Sequence, residues 1–291
     1  MLSQQVINGV MLGSIYAMVA VALTLSIGVL KFLNFSIPGL FMIGGMSVWG
    51  ALRAGMPWPL AASVALGIGA VASLLVERFT WRWMRSAGHF VPLVSSMAFL
   101  LLFEHLAVVY WGSDLRTLPV LFANVDWRIG GLVISVPQLV GLIASIVLIW
   151  ALTLMLARTR IGRAVRTIAE DSDTALLLGV EINRIVPMVF VVSGLFAALA
   201  GVIFALNYRQ VQPFMGEAVG LKGISAMIVG GMGNVWGSIV GGLIIGLVEV
   251  MSIGFFGADF VDIAVYGLLL IILFVRPTGL LAGSFAGRVR A

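Results

Sequence analysis

The sequence contains no cysteine, which excludes a disulfide framework, a thiolate nucleophile and a metal site with cysteine ligands. His89 and His105 are the only histidines, so a metal centre built on imidazole ligands is not expected. No Gly-Lys-Ser or Gly-Lys-Thr triplet follows the glycine-rich run, and the glycine spacing differs from the dinucleotide fingerprint. The chain therefore has no recognisable nucleotide site of its own, and we expect no metal or cofactor on it.

Charged residues are also scarce. Only 10% of the 291 residues are charged and 61% are hydrophobic, whereas soluble domains have about 25% charged and roughly 45–50% apolar residues. The excess apolar surface is expected to face lipid, where helices satisfy their own backbone hydrogen bonds. The sequence thus predicts an all-α polytopic membrane protein that forms a single transmembrane domain over residues 1–291.

Apolar runs long enough to cross a membrane recur along the chain, since a helix needs about 20 residues to span the hydrocarbon core. The eight predicted spans are residues 6–30, 36–52, 57–76, 91–111, 133–157, 186–207, 236–254 and 259–276. A ninth run, 219–233, is shorter and broken by glycine, so it either crosses or re-enters. We favour a crossing, because it leaves Arg184 and Arg276 on the same side of the membrane.

Basic residues concentrate in three segments between the apolar runs. These segments contain Arg78, Arg82 and Arg85; Arg158, Arg160, Arg163, Arg166 and Arg184; and Arg276, Arg288 and Arg290. The positive-inside rule places all three in the cytoplasm, with the N-terminus outside and the C-terminus inside. This topology explains the net charge of +5 better than nucleic-acid binding does, so no nucleic-acid partner is expected.

The loop 158–185 is too long for a tight connection and carries an ordered pattern. Ile161, Val165 and Ile168 recur at helical spacing, with basic residues on the other side. The pattern predicts a short amphipathic helix at the membrane surface.

A second short helix is expected later in the same loop. Asp171 or Ser172 suits its N-cap, and Gly179 suits the left-handed position that ends a helix. Two such helices would form a rigid cytoplasmic knob able to dock on a partner. A solvated loop that only obeys the positive-inside rule is the alternative interpretation.

Glycine is frequent between residues 220 and 246. Two sets stand four residues apart, namely Gly233, Gly237 and Gly241, and Gly242 and Gly246. Glycines at this spacing let two membrane helices approach closely. Tight internal packing and a role beside the substrate both remain open for this segment.

Two polar or glycine-rich breaks interrupt the apolar runs. The residues expected to break the later helix, and to line a pathway as broken transporter helices do, are Gly230, Gly231, Gly233 and Asn234. The earlier break contains Asn34 and Ser36 between the first two spans. It is either a simple turn or a second part of the pathway.

Ionisable residues inside predicted spans are functional candidates by default, because charge in a bilayer is costly. Glu104 and His105 lie in the fourth span, and Glu249 lies near the end of the span 236–254. Each either touches substrate, pairs with another helix or reaches an interface.

Three motifs carry a resemblance that runs over nearly the whole chain. They are Gly9–Leu25 leading into Asn34–Phe35; Gly162–Asp171 followed by Ala175 and Leu178–Val180; and Gly220–Gly223 with Gly230–Asn234 and Gly241–Leu243. The sequence resembles the permease subunits of bacterial branched-chain amino acid ABC transporters, the Liv type. The middle motif, at its position between two spans, is the most specific.

The resemblance implies a type II ABC importer-like permease of the bacterial inner membrane. It implies a second homologous permease, two cytoplasmic ATPase subunits that hydrolyse ATP, and a periplasmic substrate-binding protein as partners. In this family the loop 158–185 would seat on an ATPase, and the residues carried over to that coupling role are Arg163, Ala164, Glu170, Asp171 and Gly179.

The leading hypothesis is a non-enzymatic permease that imports branched-chain or related amino acids by alternating access. The family commonly has polar and acidic residues after Asn34-Phe35, but this chain has Ser36-Ile37-Pro38-Gly39-Leu40. Importers of urea, short amides or other small polar solutes in the same family are therefore alternatives. A secondary transporter, with Glu104 or Glu249 titrating in an ion gradient, is the rival from another class.

Overall fold

The computed structural model describes residues 2–84, 90–119, 127–129 and 132–281, and Arg85, Arg288 and Arg290 lie outside these ranges. Eleven α-helices occur in the described part of the chain. They are α1 (Leu2–Leu30), α2 (Ser36–Arg53), α3 (Trp58–Val76), α4 (Phe90–Trp111), α5 (Val136–Arg158), α6 (Arg160–Glu170), α7 (Ser172–Leu177), α8 (Ile182–Tyr208), α9 (Met215–Gly230), α10 (Val235–Phe255) and α11 (Val261–Val275).

Short irregular and extended pieces join the helices. Helix α3 continues into a π-helical turn, Glu77–Arg82, and a 3₁₀ turn, Ala258–Phe260, precedes α11. Two antiparallel ribbons pair β1 (Arg116–Thr117) with β4 (Gln210–Val211), and β2 (Trp127–Ile129) with β3 (Leu132–Ile134). The expectation of an all-α membrane fold is confirmed, with these ribbons confined to connections.

Seven helices of the described chain are long and apolar enough to cross a membrane. They are α1, α3 with its π turn, α4, α5, α8, α10, and α11 with its 3₁₀ turn. The predicted span 36–52 forms α2, which has 18 residues and is not among the seven. Helix α2 is almost wholly buried between other helices. Because it meets protein and not lipid, it tolerates small and polar residues such as Ser36 and Ser47.

The doubtful run 219–233 forms the second half of α9 and the turn after it. With 16 residues, α9 is about 24 Å long, shorter than a hydrocarbon core of about 30 Å. It begins inside the bundle, where Met215 packs on Gly45 and Gly216 packs on Pro38 of α2. The helix is continuous to Gly230, so the glycine-rich break lies at its end.

One face of the bundle gathers the ends of several helices around α6 and α7. The Lys31 ammonium, just after α1, donates to the Ala169 carbonyl oxygen of α6. The turn between α9 and α10 lies on this face too, since Gly233 and Asn234 line the same cavity as Val165 and Ala169. This face is called the α6–α7 face. Helix α8 therefore begins at the α6–α7 face and runs away from it, α9 runs back to it, and α10 runs away from it again.

Residues 276–281, which follow α11, also lie on this face. The Leu280 N–H donates to the Val229 carbonyl oxygen at 2.9 Å, and the Leu281 N–H donates to the Gly230 carbonyl oxygen at 3.0 Å. These bonds satisfy carbonyls at the end of α9 that have no partner within the helix. Arg276 thus lies on the same side as Arg184, as the favoured crossing required.

The first helix forms the centre of the bundle and starts at the opposite face. There the Gln4 amide group bonds both the N–H and the carbonyl oxygen of Val133 at 2.9 and 2.8 Å. From Gly9 to Leu30 nearly every residue of α1 is buried. A helix surrounded by protein in this way depends on how closely its neighbours approach.

Glycine allows α1 and α10 to meet backbone to backbone. A Cβ added to Gly13 would lie 2.8 Å from the Leu243 Cα, and one added to Gly242 would lie 2.8 Å from the Ala17 Cβ. Carbon atoms in good non-bonded contact are about 3.5–4.0 Å apart, so neither position has room for a side chain. The four-residue spacing therefore serves close helix packing, as predicted.

A second glycine face of α10 packs on α9. A Cβ at Gly237 would lie 2.9 Å from the Gly230 carbonyl carbon, and one at Gly241 would lie 3.0 Å from the Ala226 carbonyl carbon. Helix α10 is thus held between α1 and α9 through two adjacent rows of glycine.

We predict that Gly237→Leu destabilises the bundle by about 1–3 kcal/mol or more, because the new side chain has to displace the α9 backbone. Gly67→Leu is the matched control, since a Cβ at this helical glycine meets nothing within 4 Å. Melting of the two purified variants in the same detergent measures the difference. Equal melting temperatures would show that the α9–α10 contact is not close in the folded protein.

Candidate functional site

The α6–α7 segment, residues 159–181, begins with a sharp corner after α5. Thr159 forms the N-cap of α6, and its Oγ1 accepts a hydrogen bond from the Gly162 N–H at 3.0 Å. A Cβ at Gly162 would lie 2.6 Å from the Leu156 carbonyl carbon. Only glycine fits this corner, which sets the angle at which α6 leaves the membrane-spanning part of α5.

Helix α6 has the two-sided pattern predicted from its sequence. Val165 and Ile168 are buried against the bundle, whereas Arg163 and Arg166 are exposed and Ala164 is half-buried. Burial of one apolar stripe anchors the helix along the surface of the bundle. Its basic side remains free to meet another protein.

Asp171 separates the two helices and caps α7. Its Oδ2 accepts from the Thr174 hydroxyl at 2.7 Å, and its Oδ1 accepts from the Asp173 N–H at 2.9 Å. The Thr174 hydroxyl and then the Asp173 N–H hold the pKa of the Asp171 carboxyl below its ordinary value. A lowered pKa means that this stabilisation is present at neutral pH and is lost as the pH falls through the folded-state pKa.

Gly179 ends α7 in the left-handed region, with φ = 78°. The Val180 N–H then donates to the Ala175 carbonyl oxygen at 3.0 Å, which closes the helix end. A Cβ at Gly179 would meet nothing within 4 Å, so the constraint on this residue is its backbone conformation and not space. The predicted pair of capped helices is confirmed.

Helix α7 carries an exposed apolar patch. The side chains of Leu176, Leu177 and Leu178 are 57%, 89% and 69% exposed. Exposed Glu170 and Asp171 precede the patch in the chain. Three consecutive exposed leucines on a polar, capped helix form an apolar patch that the described part of the chain leaves uncovered.

The glycine-rich turn lies beside this segment. Asn234 caps α10 through its Oδ1, which accepts from the Trp236 N–H at 3.0 Å, and its Nδ2 donates to the Leu281 carbonyl oxygen at 3.0 Å. Gly231 and Gly233 have positive φ angles of 116° and 84°. Gly230, Gly231, Gly233 and Asn234 thus form a turn next to α6. The Asn234 side chain is hydrogen-bonded to protein groups in this turn.

Asn34 and Ser36 build the start of α2 inside the bundle. The Asn34 Oδ1 accepts from both the Ser36 N–H at 3.1 Å and the Ser36 hydroxyl at 2.7 Å. Both residues are buried, and the Asn34 Nδ2 has no hydrogen-bond partner among the described residues. The two residues form a local turn that fixes the start of the buried helix α2.

Glu104 is the least satisfied acid among the described residues. It is 0% exposed, and neither carboxylate oxygen has a hydrogen-bond partner there. Glu217 of α9 is near enough to act on it electrostatically and is itself exposed. The neighbouring His105 is exposed on α4 and bonds the Leu101 carbonyl oxygen at 2.8 Å. Because burial of an unpaired charge is costly, a carboxyl group in this position has to be protonated or to bind a cation.

Glu249, in contrast, is fully engaged. Its Oε1 lies 2.7 Å from the Lys222 Nζ, and its Oε2 accepts from the Tyr16 hydroxyl at 2.7 Å. The side chains of Lys222 and Glu249 are only 12% and 11% exposed. The three residues connect α9, α10 and α1 by an ion pair in the interior of the bundle.

Sequence reasoning singled out Glu249 but assigned no role to Lys222. The sequence did contain a signal for this role, because Lys222 lies in the Gly220–Gly223 motif within an apolar run. A lysine ammonium in such a run requires a negatively charged partner. Among the described residues, no three of His, Asp and Glu lie together as a metal ion would require. Tyr16, Lys222 and Glu249 form an ion pair with a hydrogen-bonded tyrosine, and this cluster joins three helices.

We predict that Glu249→Gln lowers the free energy of unfolding by about 3–5 kcal/mol, because it leaves the Lys222 ammonium buried and unpaired. The double variant Lys222→Met with Glu249→Gln should recover most of this loss. Melting temperatures of Glu249→Gln, Lys222→Met and the double variant in one detergent give the coupling between the two residues. Additive losses would show that the two side chains do not interact in the folded protein.

The sequence is similar to known proteins over nearly the whole chain. Residues 5–274 match the family model described as branched-chain amino acid transport system / permease component. The high-affinity branched-chain amino acid transport system permease protein BraD of Pseudomonas aeruginosa is 30% identical over 96% of this chain and 95% of that protein. The corresponding protein LivH of Escherichia coli is 32% identical over 96% of this chain and 94% of that protein.

Two more distant matches are a sequence relative and a solved structure. The ribose import permease protein RbsC of Escherichia coli is 29% identical over 65% of this chain and 59% of that protein. The solved structure of PsaBC from Streptococcus pneumoniae in complex with Fab aligns with a TM-score of 0.50. It covers 95% of this chain and 92% of that chain at 15% identity, which supports the fold alone.

Proposed function

The chain belongs to the family of branched-chain amino acid transport system permease components, and we propose that it forms one half of the membrane channel of an importer for branched-chain amino acids. It is a multi-pass permease subunit and not an enzyme, and partner ATPases hydrolyse the ATP. The observation that carries the substrate assignment is the full-length match to BraD and LivH. The other half of the channel would be a second homologous permease, with a periplasmic binding protein delivering the substrate.

The α6–α7 segment is the proposed contact with an ATPase. Its support is the exposed leucine patch of α7 beside the exposed Arg163 and Arg166 of α6. Apolar anchors with a charged rim are the usual composition of a protein interface. The segment is rigid, because Thr159, Asp171 and Gly179 fix the ends of its two helices. A rigid segment can transmit an ATPase movement to α5 and α8.

The orientation of the chain in the membrane follows from the proposed contact with the ATPase. The face with α6 and α7 would be cytoplasmic, which puts the N-terminus outside and the end of α11 inside. The support is the distribution of arginine, since Arg158, Arg184 and Arg276 all lie on the α6–α7 face. The membrane would be the bacterial inner membrane, where permeases of this family work.

Substrate would pass along the side of α4 that carries Glu104. An amino acid brings an ammonium group, and the Glu104 carboxylate is a buried acceptor without a hydrogen-bond partner among the described residues. Exposed Glu217 and His105 would form the polar approach to it. Glu249 is not the proposed substrate contact, because Lys222 and Tyr16 already occupy both of its oxygens.

We predict that Glu104→Gln lowers substrate uptake about tenfold or more, through loss of a charge-assisted hydrogen bond to the ammonium group. The same change should leave the melting temperature equal or higher, because it removes an unpaired buried charge. Uptake and melting are measured on the same preparation. Normal uptake, or a loss of uptake that only follows a loss of stability, would contradict a substrate contact.

The function itself is tested with the assembled transporter in liposomes. We expect uptake of leucine, isoleucine or valine to require ATP, the ATPases and the binding protein. The permease alone should transport nothing under a proton gradient. Gradient-driven uptake by the chain alone would identify a secondary transporter and contradict the proposal. ATP-driven uptake of urea or short amides instead would retain the importer and replace its substrate.

Gly179→Val should uncouple ATP hydrolysis from uptake, because valine in the left-handed region costs about 1–2 kcal/mol and distorts the end of α7. The expected change is a fall of about fivefold or more in molecules imported per ATP. Gly55→Val is the matched control, since Gly55 has a φ of 82° and equally open surroundings but lies on the opposite face. An equal fall in both variants would show that the effect comes from backbone strain alone.

A further inference from the structure

A lateral groove runs from the α6–α7 face into the membrane-spanning part of the bundle. It has a volume of about 500 Å³, within the range of ligand sites. Its apolar lining comes from the ends of α5 and α1, from α3, α6 and α8, and consists mainly of Leu25, Leu74, Met155, Ile161, Val165, Met188 and Val192. The side chains of Leu74 and Met188 are 41% and 45% exposed, so the groove opens sideways and is not an internal cavity.

The length of the groove matches one leaflet of a bilayer. On α8 its lining extends from Arg184 to Val192, a rise of about 12 Å along the helix axis. Half of a hydrocarbon core is about 15 Å. With Arg184 at the level of the lipid headgroups, the groove would reach nearly to the midplane, which is the course of one acyl chain.

The mouth of the groove is basic. Arg184 belongs to its lining, and exposed Arg158 and Arg160 lie in the corner between the lining residues Leu156 and Ile161. Within the described ranges, the only acid that pairs with these arginines is Glu181, 2.6 Å from the Arg184 Nε. Three arginines against one glutamate leave an excess of positive charge where a headgroup would lie. Basic pockets between membrane helices are a recurrent form of anionic-lipid site.

We propose that this groove binds one anionic phospholipid from the leaflet on the α6–α7 side. One acyl chain occupies the apolar trough, and the phosphate and anionic headgroup lie against Arg158, Arg160 and Arg184. The lipid would touch Ile161 and Val165 on the inner side of α6. It would thereby support the segment that carries the exposed leucine patch on its other side.

Native mass spectrometry of the delipidated transporter complex tests the site, with dioleoyl phosphatidylglycerol or dioleoyl phosphatidylcholine added back. We expect one saturable phosphatidylglycerol per copy of this chain, bound at least about fivefold more tightly than phosphatidylcholine, since a basic residue near the headgroup contributes about that factor. Arg184→Gln should reduce the preference for phosphatidylglycerol. Arg53→Gln, an exposed arginine on the opposite face, should not change it.

The apolar trough is tested separately by filling it. Met188→Trp should abolish the bound lipid, whereas Val147→Trp, an exposed position of α5 that does not line the groove, should retain it. Melting temperatures of both variants show whether each remains folded. Equal retention of the two lipids by the unmodified complex, or equal binding by the two tryptophan variants, would overturn the proposal. So would an assembled complex in which a partner subunit fills the groove and no lipid binds.

Discussion

The direct backbone contact between α1 and α10 is the constraint on which the rest of the bundle depends. Gly13 on one helix and Gly242 and Gly246 on the other leave no side chain of their own at the crossing, so the two backbones meet directly. In a membrane, burial of apolar area contributes little to helix association, because lipid is as apolar as leucine. Close packing has to supply the attraction instead. Helix α1 is consequently enclosed on nearly all sides, and the other helices are arranged around it.

The same close packing explains how the two faces of the protein can be mechanically connected. On the α6–α7 face, Lys31 joins the end of α1 to α6, and Leu280 and Leu281 join the C-terminal segment to the end of α9. Deeper in the bundle, the Lys222–Glu249 ion pair and Tyr16 join α9, α10 and α1. Tightly packed helices joined by such bonds move as rigid bodies more readily than they deform. Movement of the α6–α7 segment would therefore reach α9 and α1.

Two features of the sequence made much of this fold predictable: the length of its apolar runs and the residues that cap its helices. Apolar runs located seven membrane helices, and the capping pattern around Asp171 and Gly179 located two short helices in the loop. The burial of α2 was not predicted, because an apolar run indicates a span, whereas the neighbours that enclose that span depend on tertiary structure. The pairing of Lys222 with Glu249 was also beyond the sequence, since the two residues are distant along the chain. The turn Gly230–Asn234 was predicted as a break, but its place beside α6 depends on tertiary structure.

We propose that the exposed leucine patch of α7 is the surface on which an ATPase acts. The most direct measurement places a photo-crosslinking amino acid at Leu177, the most exposed of the three leucines, in the transporter complex within intact inner-membrane vesicles. We expect a covalent adduct with an ATPase subunit, and the yield of this adduct should change when ATP is bound. An adduct formed only with lipid or with the periplasmic binding protein would contradict both the coupling role and the orientation.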